Sequence, residues 1–149
     1  MKNISWGNPT WVFLHTIAAK IHKEHFSKNK ELLIDIVKSI CYNLPCPECS
    51  KHAIEFLNTV HFQNITKKED LIEILYVFHN QVNKNLRKAE FREEKLEVYN
   101  SKDITETLII FLKSYNMRLP SALMNLSFRR NEVSKKVKEY FSKNKELFS

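Results

Sequence analysis

Apolar residues recur at helical spacing along most of this chain. Trp11, Leu14, Ile17, Ala18 and Ile21 share one face behind Asn8, a capping residue, and Pro9, a helix opener, and predict a first helix running to about His25. Leu32, Leu33, Ile36, Val37 and Ile40 predict a second, which stops at Leu44-Pro45 because proline drives the residue before it out of helical geometry. Cys46-Pro47-Glu48-Cys49 opens a third through Ala53, Ile54 and Leu57, with proline in a first turn whose amides lack partners in any case. Thr66-Lys67-Lys68-Glu69 has the pattern of a capping box, and Leu71, Ile74, Leu75, Phe78, Val82 and Leu86 follow on one face. After a charged stretch from Arg87 to Lys95, Ile104, Leu108, Phe111 and Leu112 predict a fifth helix, with Pro120 ending that region. Val133, Val137, Tyr140 and Phe141 then line one side of a lysine-rich segment, read as a solvated and partly mobile terminal helix. The expected organisation is a domain over residues 1–120 and a basic helical extension over 121–149, joined through Met117 to Asn131.

Composition sharpens this all-α reading. The 149 residues include a single glycine, Gly7, and four prolines, whereas parallel sheets and phosphate-gripping loops depend on glycine for positive φ. Neither a dinucleotide fingerprint nor a phosphate loop can be written with Gly7 alone, so a bound nucleotide has to be held another way. The net charge of +7 is largely a property of the tail, where eight Lys/Arg face three Glu over residues 117–149. No run of apolar residues suffices for a membrane span or a signal peptide, and an unsecreted, cytoplasmic chain is expected. The three cysteines fall within residues 41–49, too close together for the disulfide framework of a secreted scaffold.

Their clustering points to chemistry instead. At a helix N-terminus the dipole and free amides favour the reactive thiolate, and two cysteines at this spacing close a disulfide without dismantling the helix. Taken alone, Cys-x-x-Cys serves redox and zinc chemistry equally. Cys41, Cys46, Cys49 and His52 supply the ligand number of a structural zinc site, although the usual two-lobed separation of ligand pairs is missing. Trp11 with His15, His52 with Phe56, and His79 with Asn83 each lie at the four-residue step that shares a helix face. A single histidine on an apolar face is ordinarily a core residue. Together these pairs offer stacking surface and directed hydrogen bonds, which a planar heteroaromatic ligand between helices requires.

Three segments resemble the Erv/ALR flavin-linked sulfhydryl oxidases. Trp11-Val12-Phe13-Leu14-His15 is similar to the family's opening W-x-x-L-H helix, Cys46-Pro47-Glu48-Cys49 with Ser50-Lys51-His52-Ala53 to its active site, and His79-Asn80-Gln81-Val82-Asn83-Lys84-Asn85-Leu86 to its H-N-x-V-N-x-x-L segment. The resemblance covers about residues 6–99, and Leu44-Pro45 and Lys51-His52-Ala53 are most similar to versions from large cytoplasmic DNA viruses. It implies a four-helix bundle cradling FAD, a short fifth helix and a homodimer. Carried over by motif, Cys46 and Cys49 would be catalytic, and Gly7, Trp11, His15, His52, His79, Asn80, Val82, Asn83, Lys88, Phe91 and Tyr99 would bind FAD. Asn8 stands where many relatives have arginine, the customary later tryptophan is missing with Tyr99 as its substitute, and there is no second, distal cysteine pair.

The resemblance implies an enzyme that makes disulfides in a small thioredoxin-like or other dithiol protein and passes the electrons to oxygen, giving hydrogen peroxide. Substrate would meet Cys46 first, leaving Cys49 to face the flavin. A viral assembly site or virion suits a disulfide maker outside the secretory pathway, and nucleic acid is not an expected partner. The alternative is a zinc-stabilised basic helical adaptor whose tail binds nucleic acid or an acidic protein.

Overall fold

The computed structural model describes residues 6–116 and 124–149, and among them there are helices and no strands. Helices α1 (Gly7–Lys20), α2 (Lys23–Tyr42), α3 (Pro47–Leu57) and α4 (Lys68–Asn85) are followed by a 3-10 helix over Glu93–Ser101, then α5 (Ile104–Tyr115) and α6 (Met124–Asn144). Short 3-10 turns occupy Phe62–Asn64 and Lys145–Phe148. Helix α1 runs through the middle, against α4, α5 and the Glu93–Ser101 turn, while α2 packs on α3 and α6. Its central position explains its burial: Phe13, Leu14, Ile17 and Ala18 are covered together with the polar His15 and Thr16. No described helix is long and apolar enough to cross a membrane.

The first helix ends at Lys20 and not near His25. Ile21 turns extended at φ −59°, ψ 131°, and α2 begins two residues later. Nothing local ends the helix; distant groups do. The Lys68 ammonium donates to the carbonyls of Ala19 and Ile21 at 2.8 and 2.7 Å, and the His22 amide donates to Leu147 O at 2.9 Å. A cation on the last carbonyls satisfies acceptors left open at a helix C-terminus and suits its dipole.

The cap of α4 also differs from the sequence pattern. Lys67 is the N-cap, and Asp70, one position beyond the expected Glu69, reaches back to accept from the amides of Thr66 and Lys67 at 2.9 and 3.2 Å. Leu32, counted in the apolar series of α2, is 55% exposed. Helix α5 contains the expected apolar series and is capped by Asp103, which accepts from the Glu106 amide at 2.8 Å.

The C-terminal segment is packed and not solvated along its apolar side. Val133, Val137, Tyr140 and Phe141 are buried, Phe148 is fully covered, and Phe141 meets Phe13 of α1 with ring centroids 5.5 Å apart. Fully burying a side chain of this size stabilises by about 1.5–3 kcal/mol, so the lysines mark only the outer face. The boundary expected near Pro120 lies outside the described residues.

Candidate functional site

The cysteine turn follows from its prolines. Helix α2 stops at Tyr42, Asn43 caps it, and Leu44 is confined by Pro45. Cys46 is the N-cap of α3 in extended geometry, with Pro47 in the first turn. Cys46 and Cys49 are joined in a disulfide, their Cα atoms 5.2 Å apart, and the Cys49 amide donates to Cys46 Sγ at 3.2 Å. A first-turn amide aimed at that sulfur stabilises the thiolate when the bond opens. Ser50 Oγ accepts from the Leu44 amide at 2.8 Å and pins the turn from the other side. Both cysteines are half-buried; Cys49 packs against the hydrophobic core.

The disulfide opens onto a cleft of about 1010 Å³ to which all of α1 to α4 contribute. Gly7 and Trp11 line it from α1, His52 from α3, and His79, Val82 and Asn83 from α4. Lys88, Phe91 and Tyr99 line it from the segment that follows. Trp11 lies flat on His79, with centroids 4.1 Å apart and planes 6° apart, and His79 stacks on Phe91 at 4.4 Å. The result is a wall of aromatic faces beside the sulfur pair.

Two expected contacts lie elsewhere. His15 and Asn80 are not among the residues lining the cleft. His15 is 2% exposed, stacks on Tyr99 at 4.9 Å, and its Nε2 is 2.9 Å from Nδ1 of His79. Burial first, and His79 second, lowers its pKa to about 3; burial and Lys88 lower that of His79 to about 4. Both rings are neutral at pH 7, one donating to the other, and His79 lines the cleft. Asn80 spends its amide on the backbone of Phe91, donating to the carbonyl at 3.0 Å and accepting from the amide at 2.7 Å. It holds the segment after α4 against the helix.

That segment starts with Arg87 at φ 56°, a left-handed residue at a helix end where glycine would be free of strain. The Lys88 amide donates to Asn83 O at 2.8 Å, and Asn83 Nδ2 donates to Ala89 O at 3.2 Å. Lys88 is thereby held at the cleft, where it is joined by Lys95. His52 is exposed, with Nδ1 3.3 Å from Asn85 Nδ2 and Nε2 3.9 Å from the Glu48 carboxylate.

Trp6, Leu14, Phe78, Leu86, Lys95 and Val98 also line the cleft and were not singled out as site residues. Leu14 belongs to the W-x-x-L-H segment and Leu86 to the H-N-x-V-N-x-x-L segment, so a signal was present for both. Lys95 had only its place in a charged run. The zinc reading is not favoured: two of its thiols are bonded to each other, and burial pushes the Cys41 thiol up to about 12, away from the thiolate a metal takes. Among the described residues, the metal-ligating atoms that gather within 4.8 Å of one another belong to His22, Glu24 and His25, at the junction of α1 and α2.

This geometry has relatives. The chain is 29% identical over 86 residues to a protein of Invertebrate iridescent virus 3 named among the FAD-linked sulfhydryl oxidases, covering 57% of this chain and 58% of that one. It is 31% identical to the FAD-linked sulfhydryl oxidase ERV1 of Arabidopsis thaliana, covering 61% of this chain and 47% of that one. An African swine fever virus FAD-linked sulfhydryl oxidase is 32% identical, over 57% of this chain and 71% of its own length. The chain thus spans about half the length of the first two relatives. No solved structure matches it significantly. The Erv1/Alr family pattern matches residues 8–102, which take in the stacked histidines, the cysteine turn and the lysines of the cleft, and the chain belongs to that family.

Proposed function

We propose that this chain is a FAD-dependent sulfhydryl oxidase that introduces disulfides into a dithiol protein and passes the electrons to oxygen. One observation carries the reading: the Cys46–Cys49 disulfide opens on the same cleft as the stacked Trp11 and His79. The names of its relatives agree with it. The residues present fit FAD. A cleft of about 1010 Å³ exceeds what a drug-sized ligand fills, its aromatic wall offers stacking, and Lys88 and Lys95 supply cations for phosphate where no glycine loop exists. Cys46 and Cys49 are the redox pair, and Gly7, Trp11, His52, His79, Val82, Asn83, Lys88, Phe91 and Tyr99 hold the cofactor. His15 and Asn80 act at one remove, through His79 and Phe91.

A substrate thiolate attacks Cys46 Sγ, and the electron pair of the breaking bond leaves on Cys49 Sγ. The second substrate thiolate attacks the substrate sulfur of the mixed disulfide and expels the Cys46 thiolate, which the Cys49 amide stabilises. The substrate has then lost two electrons and two protons, and Cys49, packed against the core while both sulfurs line the cleft, is the thiolate that would hand the pair to the cofactor. FAD bound in the cleft would supply acceptance of that electron pair and its transfer to oxygen, giving hydrogen peroxide. The neutral pair of His15 and His79 keeps a fixed hydrogen-bonding atom at the cleft without bringing a charge.

The substrate is a small thioredoxin-like protein with an exposed dithiol. The active form is a homodimer, and the setting is cytoplasmic, at a viral assembly site. Purified protein should be yellow, with an oxidised-flavin band that survives gel filtration. A colourless protein carrying stoichiometric zinc would overturn the reading.

A further inference from the structure

The C-terminal helix reaches the redox turn through two buried polar side chains. Arg130 of α6 is 2% exposed, and its guanidinium donates to the Tyr115 carbonyl and, through Nη2, to Ser127 Oγ at 3.3 Å. Tyr115 is the last residue of α5, so this cation sits on the carbonyl end of that helix, where it complements the dipole. The Tyr115 ring is fully covered, and its hydroxyl donates across to Asn43 O at 2.7 Å. That carbonyl belongs to the C-cap of α2, three residues before Cys46.

The chain between them is stiff. Pro45 fixes its own φ and restricts Leu44, and Ser50 Oγ holds the Leu44 amide. A shift at Asn43 therefore finds little soft torsion to absorb it and arrives at Cys46. Exchange depends on which sulfur is attacked and on access to it, and the orientation of this turn sets both.

We propose that Tyr115 and Arg130 are positioning residues for thiol–disulfide exchange, through which the C-terminal helix fixes how the Cys46–Cys49 bond is presented to an incoming thiolate. This rests on the oxidase reading above. Neither residue takes part in the electron balance: a thiolate bonds to Cys46 Sγ, the bond to Cys49 breaks, and the pair leaves on Cys49 Sγ. Both lie beyond the family segment of residues 8–102, so the device belongs to the part of the chain outside the family pattern.

Tyr115→Phe removes the hydroxyl and keeps the ring on Phe111, whose centroid is 4.9 Å away. The reading is the rate at which dithiothreitol reduces the Cys46–Cys49 bond, followed by rapid alkylation of the freed thiols, beside melting temperature and flavin absorbance. Tyr115→Phe should slow reduction about tenfold, the equivalent of one buried hydrogen bond, at unchanged flavin content. Arg130→Met should slow it too, and the double variant should be no slower than the slower single one, because both act in one chain of contacts. Phe148→Ala, which loosens packing of the same C-terminal segment, should lower the melting temperature and leave the rate alone. A Tyr115→Phe rate within about twofold of wild type would overturn the proposal, as would Phe148→Ala slowing exchange equally. A wild-type chain without flavin would sink the oxidase reading alone, since alkylation still measures exchange at the disulfide.

Discussion

Nε2 of His15 lies 2.9 Å from Nδ1 of His79, joining α1 to α4 by one buried hydrogen bond directly behind the ring that faces the cleft. His15 does not line the cleft, yet it fixes the ring that does. His15→Leu is therefore expected to weaken flavin retention although His15 does not line the cleft, and His79→Ala to weaken it further. Losing a buried hydrogen bond costs about 1–3 kcal/mol, so retention in gel filtration should fall at least severalfold for both, while an exposed control, Lys67→Ala, keeps its flavin. Equal retention in all three would remove the pair from the site.

The same pair makes stability depend on pH. The folded chain holds off protons until about 3 at His15 and about 4 at His79, both below the ordinary value of 6.5, so between these values the unfolded chain binds more protons. Stability from this source is complete above pH 6.5 and falls as pH descends, with a slope approaching two protons. Melting temperatures between pH 7 and pH 4 should show the decline, and His15→Leu should flatten it. An unchanged slope in the variant would assign the decline to other groups.

The three cysteines should separate cleanly. Cys49→Ser and Cys46→Ser should each abolish oxygen uptake with a protein dithiol, because the exchange needs both sulfurs. Cys41 is buried, and its thiol, pushed up to about 12, stays protonated and out of exchange. Cys41→Ser should keep most of the activity; a folded but inactive Cys41 variant would show a role beyond packing.

Phe148 is fully covered beside Phe141, with centroids 5.0 Å apart. Phe148→Ala should cost about 3–5 kcal/mol in denaturant unfolding, and removing residues 121–149 should cost more, since Val133, Val137 and Phe141 leave the core with it. A chain of residues 1–120 that unfolds at the wild-type midpoint would show that the extension adds nothing to the core.

Sequence alone determined that the chain is a series of helices and that α3 starts at the cysteine pair. Pro45 and Pro47 restrict their own neighbourhood, so the cysteine turn could be drawn without a fold, and spacing along one helix put His79 and Asn83 on a common face. It did not determine where α1 ends, because Ile21 and His22 contain no breaker and the groups that satisfy the helix end come from Lys68 and Leu147. Nor did it separate His15 and Asn80 from the residues that line the cleft, since a motif gives the face of a helix but not the partner met there. The terminal segment shows this most plainly. Its apolar side was legible as period, whereas its burial was decided by Phe13, Phe111 and the rest of a core assembled from the whole length of the chain.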